Sequence, residues 1–188
     1  FELELYFGLR VKEALSFRPR AAERRDGISV QLGTKGGKGR FVPFLQDPEY
    51  AAKQRDVLDR ARAWADEHNN KGEMGYERLT MEEARTKYYN VLRKYGINKK
   101  ALGVASHGLR HQFAADRYRD ATGHPPPVAG GPAVAAAVDN AARRGVSALL
   151  GHGRIQITGA YLSSSAVVPS KPAERSGPPA DASGSPRS

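Results

Sequence analysis

A histidine and an arginine three residues apart form a candidate site for a phosphate group. In the stretch 106–111, SHGLRH, this spacing places His107 and Arg110 on one face of a predicted helix that Ser106 caps. The first N–H groups of a helix are unpaired and its dipole is positive at that end, so this position favours anions. A permanent guanidinium charge and a titratable imidazole add to that preference. The same pattern is also common on ordinary helix surfaces, so other residues must decide its meaning.

An arginine near the start of the chain has a carboxylate at the same spacing. Residues 8–13 read GLRVKE, which lets Glu13 brace the guanidinium of Arg10. An exposed ion pair of this kind contributes only about 0.2–0.5 kcal/mol to helix stability. The pair therefore gains functional meaning only if the fold brings it to other polar groups.

Two further motifs carry a lysine, a histidine and a tyrosine. Residues 28–32 alternate apolar and polar, a glycine-rich turn follows, and residues 40–44 return as a second strand, which predicts a β-hairpin with lysines at its tip. The turn lacks the pattern GxxxxGK[ST] and no helix follows at once, which argues against a nucleotide-binding loop. Downstream, residues 150–152 read LGH, and Tyr161 follows His152 by nine residues.

The composition favours a globular protein with a polyanionic partner. The chain has 30 Lys and Arg against 20 Asp and Glu, a formal net charge of +10, and nucleic acid is the first partner to consider. A basic, solvated surface without such a partner is the alternative. The absence of cysteine excludes disulfides and thiolate chemistry and fits a cytoplasmic location. No apolar run approaches the roughly 18 residues of a membrane span, and no signal segment opens the chain.

The elements that must position these residues are mostly helical. Apolar residues recur at helical spacing in four segments, residues 1–18, 48–68, 81–95 and 106–120. Strand signals are found in the hairpin. The sequence therefore predicts an α+β protein, mostly α-helical, with a small antiparallel hairpin or sheet.

The last part of the chain divides into three segments. An alanine-rich helix is predicted from Pro132 to Arg144, and residues from about 123 to 145 read as an insertion without chemistry of its own. The segment with LGH and Tyr161 follows. Residues 166–188 are rich in Pro, Ser and Gly without periodicity, which predicts a disordered tail.

Taken in order, these motifs resemble the catalytic domain of the tyrosine recombinases, the phage-integrase family. The ordered set is GLRxxE at 8–13, the lysine-tipped hairpin, HxxR at 107–110, LGH at 150–152, and Tyr161. Each motif is weak alone, whereas the full order is specific. The resemblance covers roughly residues 1–163 and implies the fold of this catalytic domain over residues 1–165.

The resemblance also implies a role for individual residues. The catalytic set would be Arg10, Lys35, His107, Arg110, His152 and Tyr161, with Tyr161 as the nucleophile. Glu13 and His111 would support that set. Lys38, Arg40 and Arg154 would contact DNA, and Lys38 is the alternative match for the hairpin lysine.

The implied chemistry is phosphoryl transfer to a tyrosine. A free tyrosine, with a pKa of about 10, is a weak nucleophile, and nearby guanidinium charges would favour its phenolate. The same charges would stabilise the pentavalent transition state, and a hairpin lysine would protonate the leaving 5′ oxygen. No metal or other cofactor is required, because the 3′-phosphotyrosine keeps the energy of the bond. We therefore expect a site-specific DNA recombinase or integrase, acting on double-stranded DNA as a homo-oligomer, a tetramer on DNA.

Several alternatives stay open on sequence alone. A type IB topoisomerase uses the same kind of nucleophile and helpers. A non-catalytic DNA-binding remnant is the second alternative, since the helical DNA-clamping domain usual in the family does not precede Arg10 and the chain reads as truncated at its N-terminus. His107 and His111 have the i,i+4 spacing of a zinc helix, but Gly108 stands where HExxH has glutamate. Whether Tyr161 acts in its own protomer or in a neighbour is also open.

Overall fold

Helices form most of the molecule and surround one small sheet. The computed structural model describes residues 1–97, 106–152 and 155–163. Its helices are α1 (Glu2–Phe7), α2 (Val11–Leu15), α3 (Pro19–Ala22), α4 (Pro48–His68), α5 (Met81–Lys94), α6 (Ser106–Thr122), α7 (Ala136–Leu149) and α8 (Gly159–Leu162). Short 3₁₀ turns lie at Lys35–Gly37, Pro127–Ala129 and Ile155–Thr158. None of these described helices is long and apolar enough to cross a membrane.

The sheet has three antiparallel strands in the order of the chain. These are β1 (Glu23–Arg24), β2 (Gly27–Val30) and β3 (Arg40–Pro43). Ile28 pairs with Val42, and both side chains are buried. The predicted hairpin and the α+β class are thus confirmed, and the two-residue strand β1 is an addition too short for periodicity to reveal.

The loop of the hairpin packs against α2 just after it leaves β2. Gly33 has a φ of +71°, and a Cβ built there would lie 2.7 Å from the carbonyl oxygen of Lys12 in α2. Only glycine fits such a close approach of two backbones. The hairpin is therefore fixed next to α2, the helix that follows Arg10.

Helix α6 runs through the centre of the core. It packs against α1, α7 and α8, and its side chains Phe113, Ala114 and Tyr118 are buried. The face of α6 that carries Phe113 therefore enters the core. Helix α6, whose first turn carries His107 and Arg110, thus packs between α1 near the start of the chain and α7 and α8 near the end of the described residues.

Two helices begin at residues with local capping chemistry. Asp47 caps α4 by accepting a hydrogen bond from the Tyr50 N–H at 2.7 Å. Thr80 and Glu83 form a reciprocal capping box at the start of α5. Capping chemistry is local, so it can be read from short stretches of sequence.

Two predicted helices have different bounds in the structure. The alanine-rich helix begins at Ala136 rather than Pro132 and continues through Gly145 to Leu149, because Ala142, Val146 and Ser147 pack into the interior. Tertiary packing here outweighs the tendency of glycine to end a helix. Residues 1–18, predicted as helical with Gly8 as a possible break, form α1 and α2, and Gly8 separates them at a φ of +61°.

The described residues cover the predicted insertion but not the predicted tail. Part of the predicted insertion lies in α7, which packs on α6. The predicted tail, residues 166–188, lies outside the described residues. Both assignments stay predictions.

Gly8 allows a test of how tightly α1 is held against α6. A Cβ at this position would lie 2.4 Å from Cδ1 of the buried Phe113, whereas at Gly123, also in the left-handed region, it would meet nothing within 4 Å. Both Gly8→Ala and Gly123→Ala introduce backbone strain, but only Gly8→Ala adds a clash. We expect Gly8→Ala to lower the free energy of unfolding by at least about 1 kcal/mol more than Gly123→Ala. Urea unfolding measures this difference, and equal losses would contradict the packing described.

Candidate active site

A buried carboxylate binds arginines from two different elements. Glu13 has 0 % exposure and accepts hydrogen bonds from the backbone N–H and Nη1 of Arg10, both at 2.7 Å. Its two oxygens also accept from Nη1 and Nη2 of Arg40, at 2.8 and 2.7 Å. Burial by itself would raise the pKa of Glu13, but the bonds and charges of Arg40 and Arg10 hold it below the ordinary value. The carboxylate is therefore ionised and ties α2 to β3.

Arg10 keeps part of its guanidinium accessible. The residue caps α2, so Glu13 in the first turn binds both its backbone and its side chain. Nη2 lies 3.4 Å from the carbonyl oxygen of Gly151, at the far end of the described chain. The side chain is 26 % exposed, which leaves donor capacity for a bound anion.

Arg40 occupies the interior of the site. The sequence predicted Arg40 as a DNA contact, but its side chain is only 6 % exposed. Besides Glu13, it donates from Nε to the carbonyl oxygen of Leu149 at 2.6 Å. The sequence held one signal for this burial, because Arg40 is two positions from the apolar Val42 in β3 and so shares its face of the strand, and Val42 is buried.

Arg110 lies behind Arg10, almost fully enclosed. It is 2 % exposed and donates to the carbonyl oxygens of Gly8 and, at 3.1 Å, Leu150. Its Nη1 is 3.8 Å from Glu13 Oε2. Its Nε is buried and has no hydrogen-bond partner among the described residues. Burial, followed by the charge of Arg10, lowers the pKa of Arg110 below the ordinary value for arginine.

The LGH motif brings a histidine to the arginines. Gly151 has a φ of +66°, and a Cβ there would lie 3.3 Å from Arg40 and 3.5 Å from Arg10. The next residue, His152, is fixed by its backbone N–H, which donates to the Ser147 carbonyl at 2.8 Å. Burial, then the positive charges of Arg10, Arg110 and Arg40, lower the pKa of His152 to about 4. The imidazole is therefore neutral near pH 7.

Tyr161 lies beside His107, within the same chain. Its hydroxyl oxygen is 3.1 Å from Nε2 of His107, and the residue is 3 % exposed. Burial, followed by the charge of the neighbouring His111, lowers the pKa of His107. A neutral imidazole next to a phenol can accept its proton.

His111 forms part of the same aromatic cluster. Its ring centroid is 4.6 Å from that of Tyr161, and the ring centroid of His152 is 5.5 Å from that of Tyr161. Burial, followed by the charge of Arg110, lowers the pKa of His111 as well. Across the described part of the chain, no group of three or more histidine and carboxylate side chains is placed to hold a metal ion.

Neither hairpin lysine makes a described contact with this cluster. Lys35 and Lys38 are exposed in the hairpin loop, and neither makes a hydrogen bond or ion pair with the residues that the structure describes. Arg154 lies outside the described residues. The structure thus joins Arg10, His107, Arg110, His152 and Tyr161 into one cluster, with Glu13 and His111 beside them. Arg40 also belongs to this cluster. Its two-residue spacing from Val42 in β3 could have indicated that its side chain faces inward.

The lowered pKa of His152 predicts a pH dependence of stability. Between about pH 6.5 and 4 the unfolded chain protonates His152 and the folded chain does not, so the contribution of His152 to the free energy of unfolding falls as the pH is lowered through this window. His107 and His111 contribute in the same direction. Urea unfolding at a series of pH values should therefore give a shallower dependence for His152→Gln than for the parent. An identical dependence in the two proteins would contradict an imidazole that stays neutral in the folded protein.

Comparison with known proteins identifies the family of the chain. The model of the family described as "Integrase" matches residues 1–116, which include Arg10, Lys35, His107 and Arg110. No curated protein matches the chain. The match stops before His152 and Tyr161, the two residues that the fold places beside the matched histidine and arginines. The chain therefore belongs to the phage-integrase or tyrosine recombinase family, and so to the recombinase type of enzyme that acts on DNA.

Proposed function

We propose that this chain is a site-specific recombinase that cleaves and rejoins DNA through a 3′-phosphotyrosyl intermediate, with Tyr161 as the nucleophile. The observation that carries the proposal is the 3.1 Å contact between the Tyr161 hydroxyl and His107 Nε2, next to the Arg10 and Arg110 cluster. A phenol, a neutral base and fixed positive charges are the parts that phosphoryl transfer to tyrosine requires.

In the cleavage step, the Tyr161 oxygen attacks phosphorus while His107 takes the phenolic proton. The bond from phosphorus to the 5′ oxygen breaks, and that oxygen leaves with a proton. Lys35 is the donor we assign, because it is exposed in the hairpin loop next to α2. The lowered pKa of His107 supports its role as base, since the imidazole is neutral near pH 7.

The arginines stabilise the charge that builds up on the non-bridging oxygens. Arg10 offers an accessible guanidinium, and Arg110 has a buried Nε without a described partner. Three guanidinium groups face the single carboxylate of Glu13, so the cluster keeps excess positive charge. Because the groups are held before DNA arrives, little reorganisation is needed during the reaction.

Rejoining reverses these roles. A 5′ hydroxyl attacks the phosphotyrosine, Lys35 accepts its proton, and His107 returns a proton to Tyr161. The bond energy is conserved in the intermediate, so neither ATP nor a metal ion takes part. We further propose that Tyr161 acts on the DNA bound by its own protomer, since it lies in its own chain's cluster, and that a homo-oligomer, a tetramer on DNA, assembles in the cytoplasm.

The nucleophile can be tested by covalent capture. Nicked duplexes prepared from the DNA that flanks the gene would trap the phosphotyrosine, because the short cleaved strand diffuses away. We expect the parent and Tyr95→Phe, an exposed control, to form a protein–DNA adduct on denaturing gels and Tyr161→Phe to form none. An adduct with Tyr161→Phe would contradict the proposal. DNA binding without any adduct would favour a non-catalytic remnant, and relaxation of supercoiled plasmid without joining of two sites would favour a topoisomerase.

The general acid can be tested with a better leaving group. Lys35→Ala should slow cleavage of normal DNA by about 10²–10⁴-fold, because the 5′ oxygen then leaves without a positioned proton donor. A 5′-sulfur substrate needs no such proton, so it should be cleaved by Lys35→Ala at nearly the parental rate. Lys38→Ala is the matched control from the same loop. If the 5′-sulfur substrate rescues Lys38→Ala but not Lys35→Ala, Lys38 is the general acid. If it rescues neither variant, the general acid does not come from the hairpin.

A further inference from the structure

A buried arginine outside the phosphate cluster holds the end of the tyrosine helix. Arg143, in α7, donates from Nη1 to the carbonyl oxygen of Ser163 at 2.9 Å. Ser163 is the residue that directly follows α8, two positions after Tyr161. The same guanidinium donates from Nε to Asp139 Oδ2 at 2.8 Å, one helical turn earlier.

This contact is anchored to the helix that carries the phosphate-binding residues. The other oxygen of Asp139 accepts a hydrogen bond from the hydroxyl of Tyr118 at 2.7 Å. Tyr118 lies in α6, as do His107 and Arg110, and Tyr118, Asp139 and Arg143 are all buried. A continuous set of bonds therefore runs from α6 through α7 to the end of α8.

Helix α8 depends on such outside support. It has four residues, far below the length at which a helix is stable alone. Ser163 adopts φ 66° and ψ 173°, a backbone region normally taken by glycine, at a cost of about 1–3 kcal/mol. Such a conformation persists only where the surroundings fix it, and the Arg143 bond to the Ser163 carbonyl supplies one such contact.

We propose that Arg143 is a positioning residue for the nucleophile: it holds Ser163, and through it α8, so that Tyr161 stays next to His107 in its own protomer. This role rests on the proposed function of Tyr161. Arg143 acts through the backbone of Ser163, so its loss should affect the cleavage step and leave DNA affinity unchanged. Asp139 and Tyr118 in turn fix the guanidinium.

The variant that separates the two contacts of Arg143 is Arg143→Lys. A lysine keeps the charge beside Asp139 but lacks the forked set of donors that lets one side chain serve two acceptors. We expect the rate of adduct formation on the nicked duplexes to fall by about 10–100-fold, as is usual for a misplaced nucleophile, with unchanged DNA affinity. Arg144→Lys, at the exposed neighbouring position, is the matched control and should match the parent.

A second measurement replaces the nucleophile from solution. In Tyr161→Phe protein, hydrogen peroxide can attack phosphorus in place of the phenol, with loss of the same 5′ oxygen. This reaction uses the arginines but not the position of α8. We expect Tyr161→Phe and the double variant Arg143→Lys/Tyr161→Phe to cleave equally fast with peroxide.

The outcomes separate this role from the function on which it rests. A parental rate of adduct formation in Arg143→Lys would overturn the role. So would a loss of peroxide cleavage in the double variant, because Arg143 would then support the whole site or the fold. Absence of any adduct with the parent protein would contradict the proposed function itself, and the positioning role with it.

Discussion

The carboxylate of Glu13 is the one group on which the arrangement of positive charge depends. Arg10, Arg40 and Arg110 approach each other closely, and without an anion between them their mutual repulsion would oppose folding. Glu13 binds two of them directly and lies 3.8 Å from the third. Breaking a buried pair of this kind by removing one partner typically costs about 3–5 kcal/mol. The carboxylate thus keeps the guanidinium groups close while leaving an excess of positive charge for DNA phosphate.

Backbone carbonyl oxygens at the ends of helices also accept hydrogen bonds from these arginines. Gly8, just after α1, accepts from Arg110, while Leu149 and Leu150, at the end of α7, accept from Arg40 and Arg110. The C-terminal end of a helix carries partial negative charge, which favours cations. The arginines are therefore held at the negative ends of α1 and α7, and the first turn of α6, whose end favours anions, lies against them. The negative C-terminal ends of α1 and α7 and the positive N-terminal end of α6 thus meet at the proposed phosphate site.

The sequence predicts the cluster better than it predicts what supports the cluster. Arg10, His107, Arg110, His152 and Tyr161 were found because each belongs to a short motif in a set order. The hairpin was found because its signal is local. The burial of Arg40 could have been inferred from alternation along β3, but a charged side chain was interpreted as a surface group. The contact of Arg143 with Ser163 leaves no trace in residue types, because its acceptor is a backbone oxygen 20 positions away. Likewise, the continuation of α7 through Gly145 depends on packing against α6.

The contact between Arg10 and Gly151 has a consequence for how activity arises during synthesis. It joins residues 141 positions apart, and the bond from Arg110 to Gly8 spans 102. Contacts this distant in the chain form late, because a long loop must close before they contribute any stabilisation. A nascent chain that ends before α8 carries the arginines of the cluster but lacks Tyr161, the proposed nucleophile. On the proposed function, the protein therefore passes through synthesis and most of folding without the ability to cleave DNA.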